Sequence, residues 1–186
     1  MAFFKKPIGA FLVSLALVLV ATLVTVNVKL GNRCQDVTDG FYTGVLYNGT
    51  EENSISDQLD TLLILADELE IVAENYDVDI EPLSDARDDM QYGIIYSRND
   101  ISYLYYTYDE LITSIRQLFS QLSSADMSQK DAQAAQEIMD DVSSAQEIIR
   151  QSDYNESVRE YLLKYERFPT YIMGEFADVD VPQYFS

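Results

Sequence analysis

The chain has 186 residues, 32 of them acidic and 12 basic, with one cysteine and neither histidine nor tryptophan. Without histidine there is no Ser-His-Asp or Cys-His catalysis, no HExxH zinc site and no histidine pH switch. One thiol closes neither an internal disulfide nor a four-cysteine zinc site. A formal charge of −20 sets the protein's own field against every phosphate contact, so nucleic acid is not expected as a partner.

The first element is hydrophobic. Residues Ile8 to Val28 form a run of 21 without a charge. As a helix that run is about 31 Å long, the thickness of a bilayer core. Pro7 stands where a helix tolerates proline best, in its first turn. A secretory leader has a shorter apolar region, of roughly 7 to 15 residues, so a retained transmembrane anchor is expected over 1–30, with residues 8–28 in the lipid. Lys5 and Lys6 on one flank and Lys29 and Arg33 on the other leave the charge rule for orientation nearly balanced. All 32 acidic residues follow Cys34, together with only eight basic ones. That part would be repelled by an anionic cytoplasmic leaflet, so it is expected outside the cytoplasm.

Residues 31–53 hold Gly31, Gly40, Gly44 and Gly49 among Asn, Thr and Asp, and are expected as a loop or stalk. From residue 54 onward helical periodicity dominates. Ile55, Leu59, Leu62, Ala66, Leu69, Ala73 and Tyr76 follow steps of four and three, with Ser54-x-x-Asp57 as a capping box at the start. A second stripe runs from Leu83 through Ala86, Met90, Gly93, Ser97, Ile101, Leu104, Tyr108, Leu111 and Ile115 to Leu122. A third begins at Ser128-x-x-Asp131 and carries Ala135, Ile138, Val142, Ala145 and Ile149, continuing less regularly to Tyr165. The expected fold is all-α: the anchor, then over 54–186 an elongated antiparallel bundle of three long helices plus a short C-terminal helix, with no β-sheet.

The chain ends in a recognisable string: Tyr154-Asn155-x-x-Val158-x-x-Tyr161, then Phe168-Pro169, Phe176 and Tyr184-Phe185. It resembles the tail of LemA proteins, and Ala86-Arg87 is similar to that family's step into its second long helix. The resemblance covers residues 80–186. It implies a bacterial membrane-anchored helical protein of a family with no established enzymatic activity, in an accessory or scaffold role in the cell envelope.

Other motifs weigh towards structure. Asp77-x-Asp79-x-Glu81 has alternating carboxylates, but Pro82 and Asp88 stand where a calcium loop needs Gly and Glu. Asp88-Asp89 and Asp140-Asp141 point about 100° apart on a helix, so neither makes an acid–base pair. The tyrosines at 92, 96, 103, 105, 106 and 108 are split between packing and an exposed aromatic surface. No catalytic residue, metal ligand or cofactor is expected. Phe168, Tyr171, Phe176, Tyr184 and Phe185 are expected to fold back over one end of the bundle; as the sharper alternative, Tyr154, Asn155, Phe168, Pro169, Phe176, Tyr184 and Phe185 are the candidate docking residues for an envelope or membrane protein, and self-association is left open. The competing expectation is a tethered domain that senses a cation or other ligand.

Overall fold

A computed structural model describes residues 7–44, 46–47, 50–51, 54–98, 100–167, 174 and 181–186. Six helices lie among them: α1 Pro7–Thr43, α2 Ile55–Ala73, α3 Glu81–Tyr96, α4 Ile101–Ser124, α5 Gln129–Gln151 and α6 Tyr154–Tyr165. The contacts separate into two units, one of residues 1–38 with 156–182, the other of residues 39–155 with 183–186.

In the first unit, α1 is long and apolar enough to cross a membrane, with a mean hydropathy of 2.5 over its most apolar window. Its large side chains stay uncovered: Phe11 and Leu17 are each 65% exposed. The hydroxyls of Thr22 and Thr25 donate to the carbonyls of Val18 and Ala21, each at 2.8 Å. That back-bonding satisfies the two hydroxyls without water. Further along, Cys34 packs with Tyr161 and Tyr165 of α6, flanked by Leu30, Val37 and Leu162.

α1 does not stop at the apolar run. A loop was expected from residue 31, yet the helix continues to Thr43. Each helical glycine costs up to about 1 kcal/mol. Burial of Cys34 in the first unit and of Phe41, wholly inaccessible, in the second outweighs that cost. Gly44, with φ at 75°, ends the helix in the left-handed conformation that favours glycine.

The second unit is built on α2–α5. Ser54 caps α2 with the expected box: its hydroxyl accepts from Asp57 N at 3.0 Å, and the Asp57 carboxylate accepts from Ser54 N at 3.4 Å. Ser128 caps α5 by accepting from Asp131 N at 3.1 Å. The Tyr76 hydroxyl donates to Asp131 Oδ2 at 2.6 Å and accepts from Ser128 N at 3.1 Å, tying the end of α2 to the start of α5. Leu59, Leu62, Ala66 and Leu69 of α2, Leu104, Leu111 and Ile115 of α4, and Ala135 and Val142 of α5 are buried. They follow the stripes read from the sequence.

The second stripe is not one long helix. It divides after Tyr96 and resumes at Ile101, and α3 packs on α4. Asp100 starts the new helix by accepting from Tyr103 N at 3.0 Å. Gly93 marks the close approach of the pair: a Cβ there would lie 3.1 Å from Leu104 Cδ2 and 3.2 Å from Tyr103 Cε1. The third stripe likewise divides at Ser152, whose hydroxyl accepts from Tyr154 N at 3.2 Å and opens α6. The two longest expected helices are therefore replaced by shorter ones, while the first stripe stands as the single helix α2. One small β element also differs from expectation. Leu46 pairs with Glu51 and Tyr47 with Thr50 in an antiparallel ladder of two residues a side. The Asn48-Gly49 dipeptide in the intervening sequence is a strong hairpin signal, and it outweighs the lack of an alternating apolar pattern.

Candidate interaction surfaces

The aromatic residues nearest the C-terminal end converge within the second unit. Phe185 is only 4% exposed. Its ring centroid lies 5.4 Å from that of Phe41, 5.2 Å from Tyr105 at a right angle, and 5.4 Å from Tyr108. Tyr154 is fully buried and meets Phe41 edge-on at 5.3 Å. Such edge-to-face pairs set the positive ring edge against the negative face of the neighbour.

Polar bonds hold the same segment. The Asn155 side chain donates from Nδ2 to Phe185 O at 2.9 Å and accepts from Phe185 N at 2.8 Å. An amide side chain thus supplies both partners that a neighbouring strand would supply. The Tyr154 hydroxyl donates to Gln183 O at 2.8 Å, and the Gln183 side-chain oxygen accepts from Ser102 N at 3.1 Å.

Of the seven candidate docking residues, Tyr154, Asn155 and Phe185 are therefore brought together and turned inward. Tyr184 is 37% exposed. Phe168, Pro169 and Phe176, like Tyr171, lie outside the described residues. A cleft of about 290 Å³ opens beside Phe185, with Tyr108, Gln146 and Arg150 in its wall. Gln146 donates to the Tyr108 hydroxyl at 3.2 Å and accepts from Arg116 at 3.0 Å. Arg150 is engaged by both oxygens of Glu147, and hydrogen bonds from Arg150 and Gln151 hold the Glu147 carboxyl down at about 2.

The acidic turn at 77–81 closes on its own backbone. Asp79 Oδ1 accepts from Glu81 N at 3.2 Å, and Asp79 N donates to Gln121 Oε1 at 3.0 Å. Among the described residues no three His, Cys, Asp or Glu side chains are grouped to hold a metal ion.

Two arrangements are not foreseen from the sequence: the ion pairs of Arg87 and a buried stripe on α1. Arg87 bridges α2 and α3, meeting Asp67 at 2.6 Å and Glu70 at 2.8 Å. Glu70 is nearly buried and its second oxygen, Oε1, has no hydrogen-bond partner. Burial raises the Glu70 carboxyl above the ordinary range despite Arg87 beside it. A lone arginine on the edge of an apolar stripe was the available signal. The other is the buried side of α1, Leu30-x3-Cys34-x2-Val37-x3-Phe41, whose steps of four, three and four continue a helical stripe. At its centre burial, with Cys34 and Tyr165 nearby, pushes the Tyr161 hydroxyl up to about 12.

The tyrosines of the hairpin divide. Tyr105 and Tyr108 pack on Phe185. Tyr92, Tyr96 and Tyr106 are 54%, 72% and 57% exposed. No family model matches the chain, and no curated protein or solved structure is significantly similar to it.

Proposed function

We propose that the protein is a membrane-tethered, non-enzymatic scaffold or accessory subunit whose acidic helical domain acts by contact with another envelope protein. The observation that carries this reading is the contrast along the chain: the large side chains of an uncharged helical run stay exposed on every side, while each of the helices α2–α5 buries an apolar stripe. Exposed apolar surface of that extent needs lipid or protein around it. A tether confines the domain to two dimensions and raises its effective concentration near other membrane proteins. The concentration of negative charge after Cys34 supports an orientation with the domain away from the anionic leaflet. The similarity of the string from Tyr154 to Phe185 to LemA tails supports the same role.

The test is crosslinking in native membranes with the intact chain, followed by identification and quantification of the captured polypeptides. A discrete partner at a constant molar ratio across expression levels is the expected result. Capture that merely tracks the abundance of bystanders overturns the proposal.

A further inference from the structure

α3 has two faces. Leu83, Ala86, Met90 and Gly93 are buried. At about 100° per residue, Asp85, Asp89, Tyr92 and Tyr96 fall within a 60° sector whose centre is about 110° from that of the buried residues, and all four are exposed. Ile95, 57% exposed, lies about 60° beyond Tyr92 on the side away from the buried residues. The face is graded, with carboxylates on its first half and aromatic surface on its second. The Tyr92 and Tyr96 rings lie 4.9 Å apart at an angle of 39°, a preformed pair. The surface continues onto α4 at Tyr106, whose hydroxyl is raised by its bond to Glu110 and by the charges of Glu110 and Asp89.

Three clustered aromatic or branched apolar side chains left in water mark a contact site rather than a solvated face. Its surroundings select the occupant. A second copy would bring another domain with 32 acidic and eight basic residues after Cys34 against this one, and like charges in contact oppose docking. Anionic lipid is disfavoured for the same reason. A guanidinium satisfies both halves of the face, because it is planar, pairs with carboxylates and stacks on tyrosine rings. Arg98 already stacks in this way within the chain, 4.3 Å above the Tyr42 ring. We infer that the outward face of α3, from Asp85 to Tyr96, docks an arginine-bearing, partly apolar segment of a protein partner. The face is about 17 Å long at 1.5 Å per residue, which sets the segment at about three helical turns. This inference rests on the contact role proposed above and names its surface and the chemistry of its partner.

The probe is a fluorescent twelve-residue peptide of arginine, leucine and serine, with lysine-for-arginine and glutamate-for-arginine counterparts. Anisotropy is measured against the full chain in phosphatidylcholine nanodiscs, with empty discs as the blank. The arginine peptide is expected to bind at least threefold more tightly than the lysine peptide, and the glutamate peptide not at all. Tyr92→Ser/Tyr96→Ser weakens it at least tenfold and Asp85→Asn/Asp89→Asn several-fold, while Asp140→Asn/Asp141→Asn on α5 changes it less than twofold. All six positions are exposed, and unchanged melting of each variant verifies the fold. Equal losses in the two aspartate pairs, no effect of the tyrosine pair, or no binding of the arginine peptide overturns the inference. A partner still crosslinked in membranes after such a failure leaves the contact role standing. Peptide binding with no membrane partner removes the role and keeps the surface.

Discussion

Replacing Asn155 by alanine removes both bonds that pin Phe185, of 2.9 and 2.8 Å. A neutral hydrogen bond contributes about 1 kcal/mol net, so the pair is worth about 2 kcal/mol. The remaining ties at Tyr154, Gln183 and Phe41 stay in place. The weakened step is therefore local opening of residues 183–186, which follows its own free energy rather than that of global unfolding. At 1.36 kcal/mol per decade, 2 kcal/mol speeds exchange of the Phe185 amide by about thirtyfold. Hydrogen exchange read by mass spectrometry on the C-terminal peptide measures this directly, with α2 and α5 peptides as internal controls. Asn155→Asp refines the test. The carboxylate still accepts from Phe185 N, but it cannot donate and sets a negative oxygen against the Phe185 carbonyl. Its folded-state pKa is consequently raised, so the protonated form is favoured in the closed tail. Compared with the parent at each pH, protection is greatest below the unfolded-state pKa and is lost as pH rises through the folded one. Exchange within threefold of the parent in both variants refutes the idea that Asn155 holds the segment.

Arg87→Met leaves the Glu70 carboxylate nearly buried without its cation and is expected to cost about 2 kcal/mol at neutral pH. Because burial already raises the Glu70 pKa, the deficit relative to the parent shrinks as pH falls through it and is largely abolished in Glu70→Gln/Arg87→Met; urea melts at pH 7 and pH 4.5 measure both. Gly93→Leu forces a side chain against Leu104 and Tyr103 and is expected to lose about 1–3 kcal/mol, whereas Gly93→Ala stays near neutral because the helix gain offsets the tight Cβ. Raising NaCl from 10 mM to 500 mM is expected to raise the melting temperature, since a charge of −20 repels itself and salt screens that repulsion; a fall contradicts it. The chain is expected to remain in the pellet on alkaline carbonate extraction, and release into the supernatant contradicts insertion of residues 8–28.

The helical stripes were legible because apolar spacing of three and four survives in any helix that buries one face. The hairpin at 97–100 was not, because Ser97 to Ile101 is itself a step of four and the stripe runs across the break without interruption. Only the polar run ending in Asp100 signals it, through the N-cap. The helix over residues 31–43 is masked in the sequence by Gly31 and Gly40, which break helices elsewhere, although Cys34, Val37 and Phe41 carry helical spacing. Among the docking candidates, Tyr154, Asn155 and Phe185 pack and bond together in the structure. Their inward orientation depends on Phe41, which is 113 residues earlier than Tyr154 and could not be paired with it from spacing alone. The outward tyrosines of α3 became distinguishable only once the hairpin fixed which face meets α4.

The most direct test of the proposed role is native mass spectrometry of the intact chain released from native membranes in a non-ionic detergent. The expected result is a particle heavier than the 21.2 kDa chain by the mass of a different polypeptide at a fixed ratio. A chain that leaves the membrane alone, or only with copies of itself, contradicts it.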